Sequence, residues 1–264
     1  MTPREMNAII DVIELGIAEA AAAFAENQYR LREQFISALA HDLRTPLTAV
    51  KSAAQLILRE ERLDAAQRLS SRIVQSINRT ELMVEDLLDT NLMRSGRSLA
   101  LSLTQGDFRE FVQEGLDETS EAIGDRFTYD PGAVPILGYW DKRYIKRALD
   151  NLMINAVKYG NPARPGVISL SSSGGQVQLA VHNEGEPIPA DNRAQLFDLF
   201  ERGPQAKEAS STGWGLGLAL VKGIAEAHGG GVSVESSQEA GTTFTLTLPL
   251  DARTHVRYDR KVAA

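Results

Sequence analysis

The residue whose position asks for chemistry is His41. On a helical projection that starts at Phe35 and advances about 100° per residue, Leu39, Leu43, Leu47, Val50, Ala54 and Ile57 fill one sector of about 80°. His41 falls nearly opposite that stripe. Thr45 shares its face one turn later, and Asp42 projects from the flank. An imidazole turned to water is a neutral nucleophile, and a neighbouring carboxylate can accept or orient its proton while a phosphoryl group arrives. A lone polar residue on a polar face needs no such explanation. Pro46 adds one, because a proline inside a helix costs about 3 kcal/mol and frees a carbonyl one turn earlier, that of Asp42.

A second set lies far downstream. Asn151, Asn155, Lys158 and Tyr159 share one helical face, and two amides, an ammonium and a phenol there suit phosphates, a hard cation and an aromatic ring, or else form a solvated stripe. Asparagine is a poor filler of mid-helix positions, which favours a site. Val181 to Pro189 reads as a strand followed by a Gly- and Pro-containing turn. Gly213 to Leu220 is glycine-rich and precedes a helix, so its small residues and free N–H groups suit an anion cradle, or else form a flexible loop. The polar segment 203–212 would serve as its lid.

Elements must position these groups. Between residues 4 and 92 only Gly16 and Pro46 break helix, and the charged stretch Arg59 to Asp64 divides the apolar pattern into a helical hairpin. Two apolar stripes with no third helix nearby gain most by pairing with a second copy as a four-helix bundle. Residues 93–106 turn to Ser, Gly and Thr, which marks a linker and a first strand. Beyond it, strands are expected over 126–129, 134–139, 167–172, 177–183, 232–236 and 242–248, with helices over 108–123, 142–159, 191–200 and 216–228. The expected fold is therefore an all-α hairpin forming a dimeric four-helix bundle, then an α+β domain with helices layered on a mixed sheet.

The 264 residues suit two modest domains, and 43% hydrophobic with 24% charged residues excludes global disorder. A formal charge of −7 offers nucleic acid no general attraction, so no nucleic-acid partner is expected. Zero cysteines remove disulfides, thiolate nucleophiles and thiolate zinc sites, and suit a reducing compartment. No apolar run is long enough to span a membrane, so the expectation is a soluble, cytoplasmic chain without a membrane segment. His182 reads as an outward-facing strand-end residue, or one that approaches the pocket, His228 and His255 as surface residues, and Trp140 and Trp214 as packing and loop residues.

The run Phe35-Ile36-Ser37-Ala38-Leu39-Ala40-His41-Asp42-Leu43-Arg44-Thr45-Pro46-Leu47 resembles the phospho-acceptor box of sensor histidine kinases. Asn151 to Tyr159, Val181 to Pro189, Leu196 to Phe200, Gly213 to Leu220 and Gly241 to Phe244 resemble, in order, the boxes of the GHKL ATP-binding fold. The likeness covers about residues 33 to 250. It implies that His41 is phosphorylated, Asp42 is the acidic base, and Thr45 orients water when the partner is dephosphorylated. Arg44 would help position phosphate or stay solvated.

For the nucleotide, the resemblance assigns Asn155 to Mg²⁺ and Asn151 and Lys158 to the phosphates. Tyr159 goes to the adenine face, Asn183 and Gly185 to the base pocket, and Gly213, Gly215, Leu216 and Gly217 to the lid contacts. The family usually carries Asp where this chain has Asn183, and Gly where it has Pro187. Asn keeps an acceptor oxygen but loses the charge, which bears on affinity and base selectivity.

The implied organisation is a signalling linker over 1–32, a dimerisation and phosphotransfer domain over 33–95, an ATP-binding domain over 96–252 and a tail over 253–264. The implied cofactors are ATP and Mg²⁺. The implied partners are a second copy of the chain, the receiver domain of a separate response regulator, and an upstream sensor domain or protein. Relay of phosphate from His41 to a receiver aspartate is the expected activity. A catalytically weak nucleotide-binding scaffold or regulator phosphatase is the alternative that Asn183 favours, and an ATP-driven clamp would leave the His41 helix unexplained.

Overall fold

A computed structural model describes residues 3–60, 62–193, 195–198 and 216–255; inside its helices some side chains, those of His41 and Asp42 among them, lie outside the description. Its contacts divide the chain into two compact units, residues 1–80 and 81–264.

The first unit is helical. Helix α1 (Pro3–Ile57) carries Pro46 in its interior, and α2 (Leu63–Arg94) begins after a short turn, where the charged break was expected. Pro46 and Ala53, seven residues apart on one side of α1, are buried, whereas Leu47 and Leu56 are 57% and 55% exposed. On α2, Leu63 and Val74 are likewise exposed. Within a single chain the hairpin thus covers one edge of its apolar stripes and leaves the other open. No helix among the described residues is long and apolar enough to cross a membrane.

The second unit is a layered α/β domain. Its elements after α2 are β1 (Thr104–Asp107), α3 (Phe108–Ile123), β2 (Phe127–Tyr129), β3 (Leu137–Trp140) and α4 (Lys142–Tyr159). They continue with β4 (Gly166–Ser173), β5 (Gln176–Asn183), α5 (Ala190–Arg193), α6 (Gly217–Ala227), β6 (Gly231–Ser237) and β7 (Gly241–Pro249). The main sheet has the order β2-β4-β5-β7-β6, with β2 parallel to β4 and the other neighbours antiparallel. Strands β1 and β3 form a separate antiparallel ribbon.

Alternation places the core. Val177, Leu179 and Val181 of β5 stand opposite Leu248, Leu246 and Phe244 of β7, and all six are buried beneath the helices. Gln178, Ala180 and His182 alternate to the other face, where His182 Nδ1 meets Thr243 Oγ1 at 3.0 Å. The β4–β5 hairpin turns on Gly174 and Gly175, both at positive φ (58° and 79°), as a two-residue hairpin turn requires. Trp140 is fully buried, edge-on to Phe108 at 4.9 Å, and its Nε1–H donates to Pro249 O at 2.8 Å.

Three details differ from the sequence expectation. Strand β3 starts at Leu137 rather than 134, because Pro135 lacks an N–H and Val134 is solvent-exposed. Of the helix expected over 191–200, the described residues form α5 and then a 3₁₀ turn at Gln195–Phe197. Arg193 donates there to Ile188 O and Ser236 O, and Phe197 docks edge-on against Phe244, so the chain is drawn onto the sheet instead of running straight. His228 is fully buried, not a surface residue. Its Nε2 accepts from Asp141 N (3.1 Å) while Nδ1 donates to Ile224 O (2.8 Å), which fixes a neutral tautomer.

Candidate functional site

Helix α4 is set by its ends. Asp141 caps it, with Oδ1 accepting from Arg143 N and Tyr144 N and Oδ2 from Ser102 N at 2.7 Å. Its apolar face, which includes Ile145, Ala148, Leu149, Leu152 and Met153, is buried. The opposite registers bring Asn151, Asn155 and Lys158 to half-buried positions and Tyr159 to an exposed one, with Lys158 Nζ 5.0 Å from the centre of the Tyr159 ring. The face expected from spacing is formed.

Asn151 is held. Its Nδ2 donates to Arg147 O at 2.9 Å, and its Oδ1 lies against Gly217, where an added Cβ would come within 2.4 Å. Gly217 is the first residue of α6, so the glycine lets that helix start directly on the α4 amide. Leu216, just before it, is buried. Gly213 and Gly215, together with the 203–212 segment and Trp214, lie outside the described residues.

The end of β5 closes the other side. Asn183 is 7% exposed, and its Nδ2 approaches Glu184 O at 3.4 Å. Gly160 and Gly185 pair as an isolated antiparallel bridge, and Asn161 N donates to Glu184 O at 2.6 Å. An added Cβ at Gly185 would stand 2.5 Å from Tyr159 O, and one at Gly160 2.3 Å from Ala156 O and 3.2 Å from Asn183 Cβ. An added Cβ at Gly241, at φ +69°, would stand 2.6 Å from Asn183 O. These glycines bring the end of α4, the turn after β5 and the start of β7 to one place around Asn183. Ser236 Oγ, bonded to Thr242 Oγ1 at 2.7 Å, accepts from Ile188 N and ties down the loop beyond Pro187.

Sequence reasoning found Gly185 and Gly241 but missed Gly160, whose glycine looks locally like an ordinary helix end. It also missed the Ser236–Thr242 pair, which has no local pattern. Among the described residues no group of three or more His, Asp or Glu could hold a metal by itself. A half-buried amide oxygen at Asn155 suits Mg²⁺ shared with nucleotide phosphates, since that ion keeps oxygen ligands and several waters.

The other site lies on α1. His41 and Asp42 sit within the helix, and their side chains are outside the description. Leu43 is half-buried and Pro46 buried, while Arg44 and Thr45 are exposed. Thr45 therefore faces water. Thr48 Oγ1 donates back to Arg44 O at 2.8 Å.

Comparison with known proteins gives two family matches. Residues 31–96 match the His Kinase A (phospho-acceptor) domain, and residues 140–252 the histidine kinase-, DNA gyrase B- and HSP90-like ATPase. The bacteriophytochrome of Pseudomonas aeruginosa is 30% identical over 92% of this chain and 33% of its own length. The sensor protein KdpD of Escherichia coli is 30% identical over 91% of this chain and 27% of its own. The adaptive-response sensory kinase SasA of Synechococcus elongatus is 31% identical over 83% and 59%. The chain thus spans about a third or less of the first two relatives. Among solved structures, full-length ShkA in complex with AMPPNP is similar with a TM-score of 0.55 and 25% identity, over 82% of this chain and 45% of that one. The mycobacterial sensor histidine kinase MprB is similar with a TM-score of 0.50 and 28% identity, over 55% of this chain and 97% of that one.

Proposed function

The chain belongs to the sensor histidine kinases of two-component systems, and on that premise we propose that it transfers the γ-phosphoryl group of ATP to His41 and then to an aspartate of a separate response-regulator receiver domain. The observation that carries this reading is the meeting of Asn151 and Gly217. It sets the N-terminus of α6, a natural anion site, beside the helix face that holds Asn155 and Lys158. In the transfer, a neutral imidazole nitrogen of His41 forms the N–P bond as the P–O bond to ADP breaks, and ADP leaves with the electron pair. Asp42 orients the ring or takes its proton, and Thr45 positions water for the reverse duty of regulator dephosphorylation. Asn155 would hold Mg²⁺, which supplies charge neutralisation on the phosphates. Asn151 and Lys158 serve the phosphates, Tyr159, Asn183 and Gly185 the adenine pocket, and Gly213, Gly215, Leu216 and Gly217 the lid.

The active unit in this reading is a homodimer. The open stripe edges at Leu47, Leu56, Leu63 and Val74 support it, because a second hairpin would cover them. The exposed Ile13, Leu15, Ile17 and Phe24 continue the apolar surface toward an upstream sensor domain or protein. We place the linker at 1–32, the phosphotransfer domain at 33–95, the ATP-binding domain at 96–252 and the tail at 253–264, in a reducing, cytoplasmic setting.

Incubation with Mg²⁺ and γ-labelled ATP tests the assignment. Acid-labile, alkali-stable label is expected on the parent and not on His41→Gln or Asn155→Ala; equal label on His41→Gln would sink it. Asn183 favours a second reading, a nucleotide-binding scaffold or regulator phosphatase, because the adenine contact lacks its charge. Asn183→Asp should tighten ATP binding by about tenfold, the difference between a neutral and a charge-assisted hydrogen bond. An unchanged affinity in a nucleotide titration would mean that the amide already serves fully.

A further inference from the structure

The last turns of α2 belong to the second unit, and a buried cation ties them to the nucleotide helix. Arg147 of α4 is 6% exposed. Its Nη1 donates to Asp89 Oδ2 at 2.6 Å and its Nη2 to Asp86 Oδ1, and Glu85 stands 3.8 Å away. Tyr144, also buried, donates its hydroxyl to Asp89 Oδ1 at 3.3 Å. One turn nearer the linker, Met93 lies so close to Gly223 of α6 that a Cβ there would overlap its sulfur.

Two features separate this cluster from an ordinary domain core. Its balance is poor: one guanidinium faces two aspartates, burial pushes the Asp86 carboxyl up despite its bond to Arg147, and among the described residues Arg147 Nε has no hydrogen-bond partner. Buried ions assembled this way add specificity of geometry more than stability, and such a contact can be opened. Its location is the second feature. The Arg147 carbonyl is the acceptor of the Asn151 amide, and Gly217 rests on that same Asn151. Helix α2 ends at Arg94, and Leu99 is already 3% exposed within the nucleotide-domain core, so the tether is residues 95–98, about 14 Å at full stretch. With so short a tether, the domain cannot change orientation on α2 while the cluster is closed.

We propose that Arg147, Asp86 and Asp89 form a latch that holds the ATP-binding domain in one orientation on the end of α2, and that opening it frees the domain to deliver its nucleotide. The second half of this statement rests on the kinase reading above. The latch itself does not. In it, Arg147 is a positioning residue, acting through the orientation of α4, and takes no part in the chemistry.

The absence of cysteine makes the test clean. A Cβ at Gly223 would stand 3.3 Å from Met93 Cγ, the place a cysteine sulfur would take, so Met93→Cys/Gly223→Cys puts a disulfide within reach when the latch is closed. In the full chain, the oxidised pair should bind a fluorescent ATP analogue as the reduced pair does. It should form phosphohistidine about tenfold more slowly, and regain the rate with reductant. With Arg147→Gln added, disulfide closure should slow by about tenfold, because the two faces spend less time together. Removing the cation alone leaves two buried carboxylates face to face, so Asp86→Asn/Asp89→Asn is run in parallel, with the same slowing expected.

Equal closure rates with and without the cluster would overturn the latch. Equal labelling of oxidised and reduced chains would overturn its role in delivery. A chain that closes as expected yet takes no label in any form keeps the latch and loses the kinase reading.

Discussion

The helical hairpin and the sheet domain bury their apolar residues on different terms. In the domain, Ile145, Leu149, Leu152, Leu179, Leu220 and Leu246 are fully buried by their own chain. In the hairpin, Leu47, Leu56, Leu63 and Val74 keep more than half their surface in water. One region is finished by its own sequence, and the other leaves apolar surface that a second copy would cover in the proposed homodimer. The difference follows from geometry: a sheet covered by three helices closes its core, whereas two helices offer each other only one stripe apiece. It also suits the proposed work, in which a rigid nucleotide carrier serves a helical stalk.

The largest expected effect lies in the closed region. Leu149→Ala should cost the nucleotide domain about 2–5 kcal/mol in denaturant unfolding, as truncation of a fully buried leucine does. A loss under 1 kcal/mol would mean that the helix layer is looser than its burial suggests. In the open region, Leu47→Asp should weaken self-association by at least about tenfold in sedimentation, through the cost of a buried charge, while the melting of the nucleotide domain stays put. A dimer that persists unchanged would remove Leu47 from the interface.

The smallest effect concerns His228. Burial pushes its imidazole below the ordinary value of 6.5, and the neutral ring is the form that accepts from Asp141 N. Above pH 6.5 neither folded nor unfolded chain holds that proton, so the contribution is whole. As the pH falls through 6.5 the unfolded chain protonates first and the domain loses stability, down to the lower folded pKa. Asp86 and Asp150, raised by burial, act in the opposite sense, gaining for the fold as the pH drops. The comparison that isolates the histidine is therefore parent against His228→Gln, in melting temperatures from pH 7.5 to 5. The variant should show the flatter acid limb, and parallel curves would clear His228 of any part in it.

Much of this was legible in the sequence because it is local. Helical period gave α3 and α4 at their observed ends, alternation gave β5 to within a residue, and spacing put Asn151, Asn155, Lys158 and Tyr159 on one side of α4. The charged break at residues 59–64 marked the hairpin turn. The run around His41 and the glycine segments carried the family likeness, since those residue types at those intervals are themselves the signal.

Tertiary structure decided what depends on residues far apart in the chain. His228 looked like a surface residue at a helix end, yet it is buried and accepts from the N–H of Asp141, 87 positions earlier. Arg147 is one of several basic residues on α4 with no local mark, and its partners Asp86 and Asp89 lie 61 and 58 positions away. Gly160 is crowded locally by Ala156 O, but its second constraint, Asn183 and Gly185 beside it, comes from residues far along the chain. Periodicity tells a residue which face of its own element it occupies; which element will meet that face is settled by packing, where burial and charge are balanced between segments that share no local pattern.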